Sequence, residues 1–181
     1  MFDDGSDLTI MKAGERYPVR IGPLLARDGW KAGAWVRYVA PTDQVDLWLV
    51  EKSNGITAAG FLGYESEDYS DPRRTTYRNY TSMQNRMPGT ANRVVTMHTG
   101  GGKYLFAWFE TISLDVLGAR TGPPITYVVG ESLRLSENGL LCNDPAARIM
   151  LATGGTEVVS VGRCNRIPTR DLPKVGLDLA F

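Results

Sequence analysis

Short strand-like runs, separated by glycine, asparagine and proline turns, recur along this chain of 181 residues. Ala34–Ala40 reads A-W-V-R-Y-V-A, Val45–Glu51 reads V-D-L-W-L-V-E, and Pro18–Ala26 is a further apolar strand candidate. Alternating side chains of this kind are typical of half-buried strands. No segment of 12 or more residues carries a helical stripe. The spacing predicts an all-β fold, a β-sandwich or small barrel with an extended loop and arm and a small C-terminal β subdomain.

Turn residues predict three hairpins, each made of two strand-like runs and the glycine-containing link between them. Asn-Gly is a strong hairpin signal, because both central positions of a type I′ turn need positive φ. Three glycines in a row likewise let the chain reverse tightly. The predicted hairpins are Val45–Glu51 with Ile56–Leu62 around Asn54-Gly55, Arg93–Thr99 with Lys103–Thr111 around Gly100–Gly102, and one around Asn138-Gly139.

Polar and glycine-rich stretches divide the chain. The N-terminal residues are polar, with Leu8, Ile10 and Met11 as anchors, and the run G-A-R-T-G-P-P at Gly118–Pro124 is the best linker candidate. The predicted order is an N-terminal arm at 1–16, a main β domain at 17–117, a linker at 118–124 and a small C-terminal β domain at 125–181.

Residues 65–92 break the strand pattern. They hold four acidic residues, four arginines and three tyrosines, with few aliphatic side chains. Loops of this length are commonly functional or disordered, and tyrosine and arginine are frequent in contact surfaces. An extended loop that touches a neighbour and a surface insertion without a partner are both consistent with the sequence. The candidate partner-contact residues are Tyr69, Arg73, Arg74, Tyr77, Arg78, Tyr80 and Arg86.

The charges argue against one class of partner, nucleic acids. Basic and acidic residues number 20 each, and the longest basic run is Arg73-Arg74. Nucleic-acid binders normally show a basic excess, so we expect no nucleic-acid partner.

The N-terminus lacks the regions of a signal peptide, and no apolar run approaches the roughly 20 residues that cross a bilayer. We therefore expect no membrane partner, and a protein made in the cytoplasm that stays there or is released by lysis.

The sequence offers no recognised catalytic or metal site. His98 is the only histidine, and we expect it to be structural or to cap a turn, since a triad base also needs a nucleophile and a carboxylate. The run before Lys103 resembles a phosphate-binding loop, but it has Met97 in place of a glycine and Tyr104 in place of Ser or Thr. We expect no enzyme activity, no metal and no cofactor. An enzyme whose distant carboxylates meet in the fold stays as an alternative.

Two further groups of residues each allow two interpretations. Cys142 and Cys164 lack CxxC spacing, so they are either buried free thiols, the expected form, or a disulfide between neighbouring strands. Aromatic residues at alternating strand positions form either core or an exposed sugar-binding platform, and core is the expected role. These aromatic residues are Tyr17, Trp30, Trp35, Tyr38 and Trp48.

Three segments of the last third carry a resemblance to a known family. They read G-E-S-L-R-L-S-E-N-G-L-L at Gly130–Leu141, V-G-R-C-N-R-I-P at Val161–Pro168 and V-G-L-D-L-A-F at Val175–Phe181. This order resembles the tailed-phage capsid decoration (cement) proteins, in which a glycine-bounded hairpin precedes a V-G strand and a terminal apolar strand. The preceding residues match no pattern of the family.

The resemblance implies a structural virion protein on the capsid surface, without catalytic residues or cofactors. Members often form homotrimers and bridge neighbouring subunits, so the implied partners are the major capsid protein and further copies of the chain. Arms and loops suit this role because they bury surface on several neighbours. The alternatives are a phage tail, neck or baseplate component and a carbohydrate-binding β module.

Overall fold

In the described part of the chain the regular secondary structure is nearly all β-strand, in agreement with the predicted all-β fold. A computed structural model describes residues 8–28, 32–42, 47–53, 55, 57–65, 94–114, 119–136, 138–143 and 160–180. The strands of these residues form a closed five-stranded barrel, a six-stranded antiparallel sheet and a two-stranded ribbon. The one helix that they contain is α1 (Pro23–Asp28).

The barrel strands are β2 (Glu15–Ile21), β3 (Trp35–Pro41), β4 (Trp48–Lys52), β5 (Gly60–Glu65) and β6 (Val94–Thr99). Their spatial order is β2-β4-β3-β5-β6, and β6 pairs back with β2. β2 and β4 run parallel, whereas the other neighbours are antiparallel. Alternate side chains fill the interior: Val19, Ile21, Val36, Val50, Leu62, Val95 and Met97, together with Leu25 of α1.

The sheet strands are β1 (Leu8–Lys12), β7 (Lys103–Phe106), β10 (Ser132–Leu135), β11 (Leu141–Cys142), β12 (Ser160–Arg166) and β13 (Val175–Leu179). Their spatial order is β1-β7-β13-β12-β10-β11. The ribbon pairs β8 (Ile112–Leu114) with β9 (Arg120–Pro124). Strands from both ends of the chain thus flank β7.

An aromatic cluster joins the barrel to the sheet. Trp35 and Phe61 lie on the outer face of the barrel, and Tyr104 and Phe106 of β7 pack against them. The ring centroid of Phe61 lies 5.0 Å from that of Trp35, 4.8 Å from that of Phe106 and 4.7 Å from that of Tyr104. Trp35 stacks on Phe106 at 5.6 Å. Because the sheet covers this face of the barrel, all four side chains are buried.

The first predicted hairpin is wrong, because β4 and β5 are both antiparallel to β3 and therefore run in the same direction. β4 lies between β2 and β3, while β5 lies between β3 and β6, so the two strands do not pair. The link between them crosses the start of β3 instead. The backbone N–H groups of Ser53 and Ala59 donate to the carbonyl oxygens of Trp35 and Val36 at 2.9 and 2.8 Å.

The second predicted hairpin is also wrong, and the third is confirmed. β6 belongs to the barrel and β7 to the sheet, so Gly100–Gly102 carry the chain from one to the other. By contrast, β10 and β11 pair directly, with Leu135 opposite Leu141. Gly139 has a φ of 75° in the turn between them, which is the conformation that the Asn-Gly signal requires.

The expected arm and linker are largely strands. Leu8–Lys12 form β1, which pairs with β7 and buries Leu8 completely, while residues 1–7 lie outside the described part. Within the expected linker 118–124, residues 120–124 form β9. The C-terminal strands β10 to β13 share their sheet with β1 and β7 instead of forming a separate one.

The strand expected at Pro18–Ala26 ends early, because a short helix replaces its second half. β2 stops at Ile21, and α1 begins at Pro23, a residue that suits the first helical position. The buried carboxylate of Glu51 accepts hydrogen bonds from the N–H groups of Leu24 and Leu25 at 3.1 and 2.8 Å. These bonds satisfy donors that a helix start leaves unpaired.

Candidate functional site

Three aromatic side chains, Tyr17, Tyr38 and Trp48, lie at one end of the barrel on its neighbouring strands β2, β3 and β4, and we call them the aromatic rim. β2 and β4 begin at this end and the antiparallel β3 finishes there. Each ring lies two residues from a core valine of its own strand, so it faces the same side as that valine. The pairs are Tyr17 with Val19, Trp48 with Val50 and Tyr38 with Val36.

The aromatic rim is open to solvent although it faces the barrel axis. Tyr17 is 50% exposed, Tyr38 47% and Trp48 41%. The rings of Tyr38 and Trp48 lie 5.4 Å apart at an interplanar angle of 54°. Partial burial, and then the nearby Tyr17 hydroxyl, raise the pKa of Tyr38 above its ordinary value. The rim therefore presents adjacent apolar ring faces edged by phenol groups.

The opposite end of the barrel is closed. α1 follows the end of β2, and its Leu25 is 5% exposed within the barrel core. Glu51 fixes the start of this helix through the two hydrogen bonds described above. The two ends thus differ: one is covered by a helix, and the other carries three rings.

Polar groups stand beside the aromatic rim. Tyr17 donates its hydroxyl hydrogen to the exposed Glu15 carboxylate at 3.3 Å. Thr99, which pairs with Glu15, shares the inward side of β6 with Met97. Arg16 points to the other side of β2, where its charge acts on His98 and Tyr104. On the rim side, the charged neighbour on β2 is therefore acidic.

A second exposed apolar surface lies on a turn beside β12, which we call the valine turn (Val128–Glu131). Val128 is 56% exposed and Val129 60%. The turn closes with a hydrogen bond from the Glu131 N–H to the Val128 carbonyl at 3.2 Å, and Gly130 takes a φ of 93°. Its backbone also bonds to β12, where the Gly130 N–H donates to the Cys164 carbonyl at 2.7 Å.

The Glu131 carboxylate holds the valine turn further. It accepts hydrogen bonds from the Val128 N–H at 2.7 Å and from the Asn143 side-chain amide at 2.8 Å. The Arg163 guanidinium donates to the Gly130 carbonyl at 3.0 Å. The two valines are thus presented on a fixed backbone.

A buried carboxylate that the sequence analysis missed, Glu110, binds three segments together. It is 1% exposed and accepts hydrogen bonds from Arg120 at 2.7 Å, Ser136 at 2.6 Å and Asn138 at 2.9 Å. The Tyr127 hydroxyl donates to its backbone carbonyl. Internal donors occupy this carboxylate, so the cluster ties β9 and the β10–β11 turn to the link after β7. Nothing in the local run K-Y-L-F-A-W-F-E-T distinguishes Glu110 from a solvent-facing acid.

The two cysteines are buried free thiols, the expected form. Cys142 lies on β11 and Cys164 on β12, with β10 between them. Two interstrand spacings separate such strands by about 10 Å, which exceeds the Cα separation of a disulfide. Burial raises the pKa of the Cys164 thiol, which keeps it protonated.

His98 belongs to the interface between the barrel and the sheet, in agreement with a structural role. It is fully buried, and its ring stacks on Phe61 with centroids 5.3 Å apart. Burial, and then the charge of Arg16, lower its pKa to about 4. The imidazole is therefore neutral at physiological pH.

The aromatic residues proposed for a platform divide between two environments. Trp35 is core, as expected, whereas Tyr17, Tyr38 and Trp48 are exposed. Trp30 lies outside the described residues. The predicted partner-contact residues lie outside them as well: Tyr69, Arg73, Arg74, Tyr77, Arg78, Tyr80 and Arg86.

In the described part of the chain, no three His, Cys, Asp or Glu side chains are grouped so that they could hold a metal ion. None of the helices described there has the length and apolar character needed to cross a membrane. No protein-family model, no curated protein and no solved structure matches the chain.

Proposed function

We propose that the chain is a structural protein of a tailed-phage particle, of the decoration type, which binds across neighbouring major capsid subunits. The resemblance within residues 130–181 supports this class. The three segments that carry it cover, in chain order, most of the β10–β11 hairpin, most of β12 and all of the terminal β13, the same order as in the family pattern. Such a protein would be made in the host cytoplasm and would end on the capsid surface.

The valine turn is the observation that carries the proposal. It presents two adjacent valines, Val128 and Val129, that are each more than half exposed. Hydrogen bonds from Glu131, Asn143 and Arg163 hold the turn before any partner arrives. A contact that is fixed in advance loses little conformational entropy on binding, which favours affinity. The turn is therefore suited to insertion into an apolar site on a neighbour.

Bridging needs a second contact surface. Residues 65–92, with their tyrosines and arginines, remain the proposed second contact. The neutral net charge suits dense packing of copies, because it avoids self-repulsion. We propose a homotrimer, since closed symmetry multiplies weak contacts.

Co-sedimentation with capsid shells tests the proposal. The shells are prepared without this protein, from the phage whose genome encodes the chain. We expect saturable binding at a fixed ratio, and the double variant Val128→Asp/Val129→Asp weakens it by about tenfold or more. The matched control is Val39→Asp, which places the same charge at an exposed valine of the barrel. This variant should bind the shells as the unchanged protein does.

Light scattering gives the oligomeric mass in the same samples, where we expect a trimer. A monomer that ignores every shell contradicts the decoration role. Binding to purified tails, but not to shells, would move the protein to the tail, neck or baseplate.

A further inference from the structure

We propose that the aromatic rim is a binding site for a neutral hexose oligosaccharide. This inference goes beyond the proposed virion function and does not depend on it, because the rim and the valine turn lie on different elements. Its basis is the juxtaposition of Tyr17, Tyr38 and Trp48 at the open end of the barrel with the carboxylate of Glu15.

The rings offer the apolar half of such a site. A hexose ring has an apolar face of C–H groups and a periphery of hydroxyls, so it stacks on aromatic faces that are open to solvent. Tyr38 and Trp48 present two such faces, 5.4 Å apart and inclined at 54°. The two inclined rings therefore form an angled surface and not a flat one. This shape suits a chain of sugar rings better than a single flat group.

The polar half of the site lies at the edge of the rings. The Glu15 carboxylate and the hydroxyls of Tyr17 and Tyr38 can accept hydrogen bonds from sugar hydroxyls, and the phenols can also donate. Glu15 and Tyr17 already lie within hydrogen-bond distance, at 3.3 Å. Glu15 and Tyr17 therefore present their polar groups side by side at the edge of the rings.

The charge at the rim selects a neutral ligand. Glu15 shares the rim side of β2 with Tyr17, whereas Arg16 points to the opposite side. A carboxylate at the edge of the rings repels acidic sugars and phosphates. Single-stranded nucleic acid would also stack on exposed rings, but its binding depends on a basic groove. Neutral saccharides are therefore the favoured class.

The barrel core does not require these rings. Its interior is filled by aliphatic side chains and Met97, and Leu25 shows that this chain can close a barrel end with a buried residue. Three large aromatic side chains left about half exposed at the other end give up burial free energy. A ligand that covers them recovers it.

Titration with cellohexaose, maltohexaose and chitohexaose, followed by calorimetry and tryptophan fluorescence, tests the site. We expect at least one of the three to bind in the millimolar range or tighter. Trp48→Ala should then weaken binding by about tenfold or more, and Trp48→Phe by less, since it keeps a ring. Trp108→Ala is the matched control, because Trp108 is also exposed, at 46%, but follows the C-terminal end of β7 and is not part of the rim. This variant should bind the sugar as the unchanged protein does.

Thermal unfolding of each variant checks that Trp48→Ala is folded, and Trp48→Phe gives a second test if it is not. Failure of all three sugars to bind at millimolar concentration overturns the proposal. So does an equal loss in Trp48→Ala and Trp108→Ala, or binding of oligo(dT) alone. Val128→Asp/Val129→Asp should keep sugar binding, and Trp48→Ala should keep shell binding, so failure of one proposal is distinguishable from failure of the other.

Discussion

At the scale of single residues, the burial of His98 couples stability to pH. Unfolded, its pKa is about 6.5, whereas folding lowers the pKa to about 4. The folded chain therefore binds fewer protons than the unfolded chain between these values. The stability that His98 contributes is fully present above about pH 6.5 and is lost as the pH falls towards the folded-state pKa. By pH 4 the free energy of unfolding has decreased by about 3 kcal/mol because of this residue.

We predict that the free energy of unfolding drops by about 1 kcal/mol between about pH 7 and pH 5.5. His98 is the only histidine of the chain, so few other groups titrate in this interval. Urea denaturation at the two pH values measures the change. His98→Phe keeps a ring against Phe61 and should abolish most of the dependence. Equal pH slopes for both proteins would contradict the assignment.

The tryptophans show what single residues reveal in sequence. Trp35 and Trp48 both begin strands, and the sequence allowed core or platform for each, with core as the expected role. Trp35 is buried because the sheet covers its face of the barrel, and Trp48 is exposed because nothing described covers the barrel end. Alternation predicts which side chains share a face, but the element that covers that face comes from distant sequence. The rim was therefore predictable only as one of two interpretations.

At the scale of elements, turn chemistry predicted where strands end but not which strands pair. Asn138-Gly139 joins neighbours because β10 and β11 bury Leu135 and Leu141 side by side. Gly100–Gly102 join strands of different layers, and Tyr104 and Phe106 beyond them are buried against the outside of the barrel. Positive φ is a local requirement, whereas pairing depends on long-range packing. This explains why the strands were predictable and two of the three hairpins were not.

Two adjacent glycines of the link between β6 and β7 distinguish the cost of backbone conformation from the cost of a steric clash. Gly101 and Gly102 have φ values of 90° and 97°. A Cβ atom at Gly101 would meet nothing within 4 Å, but at Gly102 it would lie 2.5 Å from the Tyr104 hydroxyl and 2.7 Å from backbone atoms of Lys12 and Gly14. The first substitution carries only the conformational cost, and the second must also displace backbone.

We predict that Gly101→Ala lowers the free energy of unfolding by about 1–2 kcal/mol. Gly102→Ala should lower it by at least about 1 kcal/mol more, because the link between β1 and β2 has to move. Parallel urea titrations of both variants measure the difference. Equal losses would show that close packing of Gly102 against the link between β1 and β2 adds nothing to the cost of the substitution.

At the scale of the whole molecule, the barrel and the sheet share one core. The largest buried cluster contains Trp35 and Phe61 from the barrel together with Tyr104 and Phe106 from the sheet. β7 supplies the latter two residues, and it is flanked by β1 from the beginning of the described chain and β13 from its end. A division at 118–124 was plausible from composition, but contacts between residues this far apart in sequence leave no local signal.

The shared core predicts that barrel and sheet unfold together. Phe106→Ala removes a fully buried ring that contacts Trp35 and Phe61, so we expect a loss of about 3–5 kcal/mol. Val129→Ala, at an exposed site, should change stability by less than about 0.5 kcal/mol. Far-ultraviolet circular dichroism follows all strands, and near-ultraviolet circular dichroism follows the aromatic cluster. The two transitions should coincide in the unchanged protein and in Phe106→Ala, because neither layer keeps its core without the other. Two separate transitions would mean that the barrel and the sheet are independent folding units.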